Sequence, residues 1–114
     1  MPASDPIKNR QLDELFQAIL LLETKEECYR FFEDIFTVSE LLAVAQRLEV
    51  AKLLSLGKTQ KEISQKLGAS TATISRVNRA LRFGAGGYQQ MLLRLEKEFK
   101  KVKSKKAWRI ADVA

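Results

Sequence analysis

Residues 59–81, TQKEISQKLGASTATISRVNRAL, constrain the fold of this chain more than any other stretch. They read as two short amphipathic helices around a tight turn at Gly68. In the first, Ile63 and Leu67 lie one helical turn apart, as a buried face requires. In the second, Ile74, Val77 and Leu81 recur at spacings of three and four. Ser64 is small where two steeply crossing helices must approach. Gly68 stands where the chain leaves the first helix, a place that commonly needs positive φ and so favours a residue without Cβ. The intervening Thr71, Ala72, Thr73, Ser75, Arg76 and Arg79 are small, hydroxylated or cationic. That combination predicts a helix-turn-helix, with residues 70–81 as the helix that would enter a DNA major groove. An ordinary helical hairpin with a solvated basic face is the competing reading. Spacing, glycine and surface composition together favour the helix-turn-helix.

Charge is distributed in a way that fits this reading. Residues 1–56 carry six Lys/Arg against ten Asp/Glu, and residues 57–114 carry fourteen against four. The halves therefore hold −4 and +10, which together make the net +6. A basic half around a helix-turn-helix is the electrostatic footprint of a phosphate-binding surface. The acidic half is expected to meet protein, namely a second copy of the chain.

Composition excludes several other classes. With 114 residues there is room for one domain and a modest core. The chain has no histidine, which removes the usual general base and the commonest metal ligand. No nucleophile–base pair or metal-ligand cluster stands out, so neither an enzyme nor a cofactor is expected. The single Cys28 lies in an apolar helical stretch and reads as a small, inert thiol. The N-terminus MPASDPIKNR lacks the basic-then-apolar order of a signal peptide. No apolar run approaches the ~20 residues that span a membrane. The expectation is a soluble, cytoplasmic protein with no membrane partner.

Taken along the chain, residues 1–6 read as an unstructured leader, since Pro2, Ser4, Asp5 and Pro6 favour turns. Residues 7–56 form the N-terminal helices and dimer core. The first helix, from Ile7 or Lys8 to Glu23, has Leu12, Leu15, Phe16, Ile19 and Leu22 on one face, with Leu20 and Leu21 widening it. So broad an apolar face calls for cover on more than one side, part of it from another subunit. Three Thr-x-x-Glu sequences, starting at Thr24, Thr37 and Thr59, look like capping boxes at helix starts. The second helix, residues 25–36, carries Tyr29, Phe32, Ile35 and Phe36 inward. The third, residues 38–56, contributes Leu41, Leu42, Ala45, Leu48, Ala51 and Leu54, and Gly57 follows as a terminator. After the helix-turn-helix, residues 83–87 (FGAGG) form a flexible break. They are not a phosphate loop, because no Lys-Ser/Thr follows and no strand precedes. A helix over residues 88–103 presents Tyr88, Met91, Leu92, Leu95, Phe99 and Val102 as one stripe. Packing on the first helix, of the same chain or a partner, and a short coiled-coil seam both remain open for it. Residues 104–114 are a basic tail; with the preceding Lys100, Lys101 and Lys103, its Lys105, Lys106 and Arg109 fit a segment running along DNA phosphates or a solvated, frayed helix end, and the lone Trp108 fits folding back on the body.

At this level the chain resembles the Trp repressor superfamily, and in particular the YerC/YecD type of Trp-repressor-like proteins. The resemblance rests on Phe36-Thr37, Gln46-Arg47-Leu48, Leu54 with Gly57, residues 60–62, Leu67-Gly68-Ala69 and Ala72-Thr73-Ile74-Ser75-Arg76. It implies an all-α, six-helix subunit in an intertwined homodimer whose N-terminal helices cross the partner. It also implies two reading heads about one DNA turn apart. In the family two arginines grip the corepressor, and Arg47 and Arg76 stand at the matching positions, with Thr37 at a position lining the indole pocket. Two departures matter: Val77 replaces a glycine that makes room for the ring, and Ala80 replaces a serine that helps hold the amino group. The pocket reads as vestigial.

The expected function is therefore a homodimeric, sequence-specific transcriptional regulator, a repressor, that binds a double-stranded operator without gating by L-tryptophan. Thr71, Ala72 and Ser75 are expected at base edges, and Thr59, Gln60, Lys61, Ser70, Arg76 and Arg79 at phosphates or adjoining bases, with Thr73 in the same segment. Two alternatives stay open: a repressor gated by an unknown small-molecule corepressor, and a helix-turn-helix that packs on another protein.

Overall fold

A computed structural model describes residues 9–106, with side chains to residue 101. Its elements are all helical: α1 Arg10–Leu20, α2 Lys25–Ile35, α3 Val38–Ser55, α4 Gln60–Leu67, α5 Thr71–Phe83 and α6 Gly87–Lys106. The order and number match the sequence expectation. The leader at residues 1–6 and the end of the tail, including Trp108, lie outside the described residues.

Helix starts are written in side-chain chemistry. Thr37 and Thr59 each head a complete capping box: the Thr oxygen accepts the N–H of Glu40 or Glu62, and the Glu carboxylate accepts the Thr N–H. At Thr24 only half of the motif forms. Its hydroxyl accepts the Glu27 N–H, but the Glu27 carboxylate reaches one residue further back, to the Glu23 N–H at 2.8 Å. The first helix is shorter than its apolar pattern implies, because Asn9 Oδ1 accepts the N–H groups of Gln11 and Leu12 and so starts it at Arg10. At its far end Leu21 is the cap and Glu23 lies beyond the helix.

The ends are equally specific. After α3, Gly57 takes φ 87°, and the bonds Lys58 N–H to Leu53 O and Gly57 N–H to Leu54 O, both 3.0 Å, close the turn. Residues 83–87 are not a loose break. A Cβ at Gly84 would come 2.3 Å from the Ala80 carbonyl oxygen, and Gly86 has φ 88°, so a tight glycine turn reverses the chain into α6.

The core is small and lies in one place. Val50, Ala51 and Leu53 of α3 pack with Ile63 of α4, Ala69 of the turn, and Ile74 and Val77 of α5. Leu54, Leu67, Tyr88 and Leu92 surround them. Helix α6 packs on α3 and α5, so within the subunit these helices, and not α1, are the main seat of its apolar stripe. No residue of α1 or α2 is buried. Of the α2 side chains expected inward, Phe32 and Phe36 stack at 5.7 Å, but Tyr29 is 61% exposed and Ile35 also faces out. In α3 the inward face is only partly the one expected: Ala51 is buried and Leu54 packs against the core, but Leu42 (64% exposed), Ala45 and Leu48 are exposed, and Val50 and Leu53 are buried in their place. The reason is that α3 is apolar around its circumference, so periodicity names no single face. The radius of gyration, 15.7 Å, exceeds the roughly 13 Å of a compact chain this size.

Candidate nucleic-acid interface

The helix-turn-helix is built on one apolar wedge. Ile63, Ile74 and Val77 are each at most 1% exposed and fix α4 and α5 to the end of α3. Ser70 caps α5, its oxygen accepting the Thr73 N–H at 3.1 Å. Gly68 takes φ 69° and donates its N–H to Ser64 O at 2.8 Å, which ends α4 and turns the chain. Gln46 of α3 reaches the Leu67 carbonyl at 3.5 Å, a polar link between the scaffold and that turn.

With the wedge inside, the opposite faces of α4 and α5 are exposed, and they carry the residues singled out in the sequence. Thr59, Gln60 and Lys61 lie exposed at the start of α4; Ser70, Thr71, Ala72, Ser75, Arg76 and Arg79 lie exposed along α5. Thr73 differs. It is half-buried and its hydroxyl accepts from Ser70 Oγ at 3.0 Å, so it completes the cap rather than facing out. Arg76 and Arg79 have no hydrogen-bond or ion-pair partner among the described residues. Helix α5 contains no acidic residue. Its N-terminal dipole adds partial positive charge to the same face. Glu62, the one carboxylate on α4, is turned back onto the cap. Hydrogen bonds from the Thr59 backbone and then its side chain hold its pKa below the ordinary carboxylate value, and Lys58 assists.

The residues of the expected corepressor pocket share no side-chain hydrogen bond or ion pair with one another among the described residues. Val77 is 1% exposed inside the core, and Ala80 is half-buried. Thr37 spends its hydroxyl on the Glu40 N–H at 3.1 Å. Arg47 and Arg76 are exposed and, among the described residues, pair with no acidic neighbour. A groove of about 470 Å³ does run between α3, α5 and α6, past Leu56, Leu81, Leu92 and Phe99, but it contains none of these five residues.

Sequence reading singled out neither Lys58, Asn78 nor Arg82, which gather beside Gln60. The available signal was spacing: Arg82 falls three residues after Arg79 and seven after Ser75, on the same side of α5. Among the described residues no cluster of three or more His, Cys, Asp or Glu could hold a metal ion, and no helix is long and apolar enough to cross a membrane.

Comparison with known proteins agrees with this geometry. The family described as Trp repressor protein matches residues 10–96. "Uncharacterized protein YerC" of Bacillus subtilis (strain 168) is 49% identical over 92 residues, 81% of this chain and 88% of that protein. "Trp operon repressor homolog" of Chlamydia trachomatis serovar D is 38% identical over 72 residues, 59% of this chain and 77% of its own length. The crystal structure of a TrpR like protein from Eubacterium eligens superposes with TM-score 0.76 at 50% identity, covering 78% of this chain and 92% of that one.

Proposed function

The chain belongs to the Trp repressor family of helix-turn-helix DNA-binding regulators, and on that premise we propose that it is a homodimeric, cytoplasmic repressor that binds a two-fold symmetric operator without L-tryptophan. One observation carries the DNA-binding reading: an exposed face of α5 with two unpaired arginines and no acid, held rigid by fully buried Ile74 and Val77 beneath it. Thr71, Ala72 and Ser75 reach base edges, where methyl and hydroxyl groups read thymine methyls and donor–acceptor patterns. Arg76, Arg79, Lys61, Gln60, Thr59 and Ser70 hold the flanking phosphates. Thr73 supports them through the Ser70 cap.

Independence from tryptophan follows from Val77. Its branched side chain lies within the core, where it ties α5 to α3 directly. A mobile recognition helix gains order from a ligand only if packing has not already supplied it. Here packing supplies it. The homodimer is supported by the apolar faces that α1 and α3 leave exposed, and no catalytic role is proposed.

Selection of bound sequences from random DNA, followed by binding across a salt series, tests the reading. A two-fold symmetric motif and a steep salt dependence are expected. A flat salt response, or no binding to any DNA, overturns it. Arg79→Ala is expected to weaken all sequences by about 1–2 kcal/mol, while Ser75→Arg changes which sequence is preferred. Stabilisation of the protein by L-tryptophan in a thermal-shift assay would contradict the role given to Val77.

A further inference from the structure

Beside the recognition helix lies a second cationic feature. The turn closed by Gly57 delivers Lys58 to the start of α4, opposite the C-terminal half of α5. Between them is a cleft of about 390 Å³, rimmed by Lys58, Gln60, Asn78, Arg82 and Gln89 over a floor that includes Leu81. The rim consists of cations and carboxamides, and no Asp or Glu lines it.

The rim is held in place by bonds within the chain. Arg82 Nε donates to Asn78 Oδ1 at 3.0 Å, which steadies the guanidinium and leaves its terminal nitrogens outside that bond. Gln89 Nε2 donates to the Leu81 carbonyl at 2.8 Å and fixes the α6 wall. The Lys58 backbone is anchored by its N–H bond to Leu53 O, so its side chain is not needed for the turn.

Position gives the cleft its meaning. Gln60 is the first residue of α4, and Arg82 continues the row that begins at Ser75 and Arg79. A duplex that receives α5 in its major groove carries its sugar–phosphate backbone along the flanks of that helix. We propose that this cleft seats a phosphodiester of the bound duplex, gripped by Lys58 and by the Arg82 guanidinium, and thereby sets the register of α5 on the operator. The proposal rests on the DNA-binding reading above and adds to it a phosphate seat outside the segment read from sequence. A guanidinium fork and a lysine ammonium together match a phosphate's tetrahedral oxygens, whereas bases are planar and lie deeper in the groove.

The experiment compares wild type with the double variant Lys58→Gln/Arg82→Gln, with Arg82→Lys, and with Lys25→Gln. The last removes a charge from α2, far along the chain. Binding to selected and unrelated duplexes is measured across a salt series, with circular dichroism to show that each variant is folded. One phosphate per subunit predicts that the double variant's slope of log affinity against log salt is shallower by about 1.8, at about 0.9 per phosphate. With an unchanged intercept at 1 M, that is a loss of about thirtyfold at 0.15 M salt, equal for both duplexes. Arg82→Lys should keep the slope, and Lys25→Gln should run parallel to wild type. If wild type binds and the double variant keeps its slope, the cleft holds no phosphate. An equal flattening by Lys25→Gln would assign the effect to net charge, and a changed sequence preference in the double variant would assign it to base reading; either overturns the proposal. Failure of wild type to bind any DNA instead overturns the DNA-binding reading itself.

Discussion

The two ends of this subunit solve the burial problem differently. From Val50 to Val77, a chain segment with charged and hydroxylated surfaces buries seven apolar residues completely or nearly so. Helices α1 and α2, which are rich in Leu, Ile and Phe, bury none. Hydrophobicity alone does not separate the two, since α2 is no more apolar than α5. Burial depends on an apolar face finding a facing element. Helices α3, α4 and α5 cross so that Ile63, Ile74 and Val77 meet one wedge on α3. Helix α1 has no extensive packing partner among the described residues, and Leu20 stays 77% exposed. The head is complete within one chain. The N-terminal half has the composition of a core whose other half comes from elsewhere, which is the basis for proposing a second copy there.

Three variants, two single and one double, would break or sharpen this contrast. Ile74→Ala strikes the self-sufficient end: it opens a cavity in a fully buried wedge and should cost about 3–4 kcal/mol in denaturant unfolding. A loss below about 1 kcal/mol would mean that the head relaxes and is not the rigid part. Leu42→Glu strikes the other end. It places a charge on an exposed apolar face of α3, so the isolated subunit should tolerate it. Dimer association should instead weaken by about 2 kcal/mol or more, read by sedimentation equilibrium. An unchanged association constant would remove α3 from the dimer interface.

The smallest effect concerns acid. Glu40 and Glu62 both have their pKa lowered, chiefly by the N–H bonds of Thr37 and Thr59. A carboxylate whose folded value lies below its unfolded one adds stability above the unfolded value and loses it as pH falls through the folded value. Glu40→Gln with Glu62→Gln should therefore flatten the acid limb of the stability profile below the ordinary carboxylate range. The neutral side should change little. An acid limb unchanged from wild type would show that the boxes hold no charge-dependent bonds.

Helix starts were legible because a cap is local: the Thr, the N–H groups and the Glu lie within four residues, as at Thr37 and Thr59. The partial box at Thr24 shows the limit of that rule, since the same spacing lets Glu27 reach the Glu23 N–H instead. The exposed face of α4 and α5 was legible for a related reason. Ile63, Ile74 and Val77 are sparse apolar residues among polar ones, so only one side of each helix could turn inward. Thr73 was placed correctly in the helix, but its inward-turned hydroxyl depends on Ser70, whose rotamer no pattern records. Arg82 was passed over because its significance depends on Lys58, 24 positions away in the chain and brought close by the turn at Gly57.

By itself, then, the sequence determined six helices, the caps at Thr37 and Thr59, the glycine stops at Gly57 and Gly68, and the exposed face of α5, because each depends on contacts within a few residues or on a sharp contrast of polarity. Only the tertiary structure decided which side of α3 faces the core, that α6 leans on α3 and α5 rather than α1, and that Lys58 and Arg82 share a cleft. Those outcomes depend on how helices cross. A helix apolar on every side, such as α3, carries no periodic signal of which neighbour it will meet.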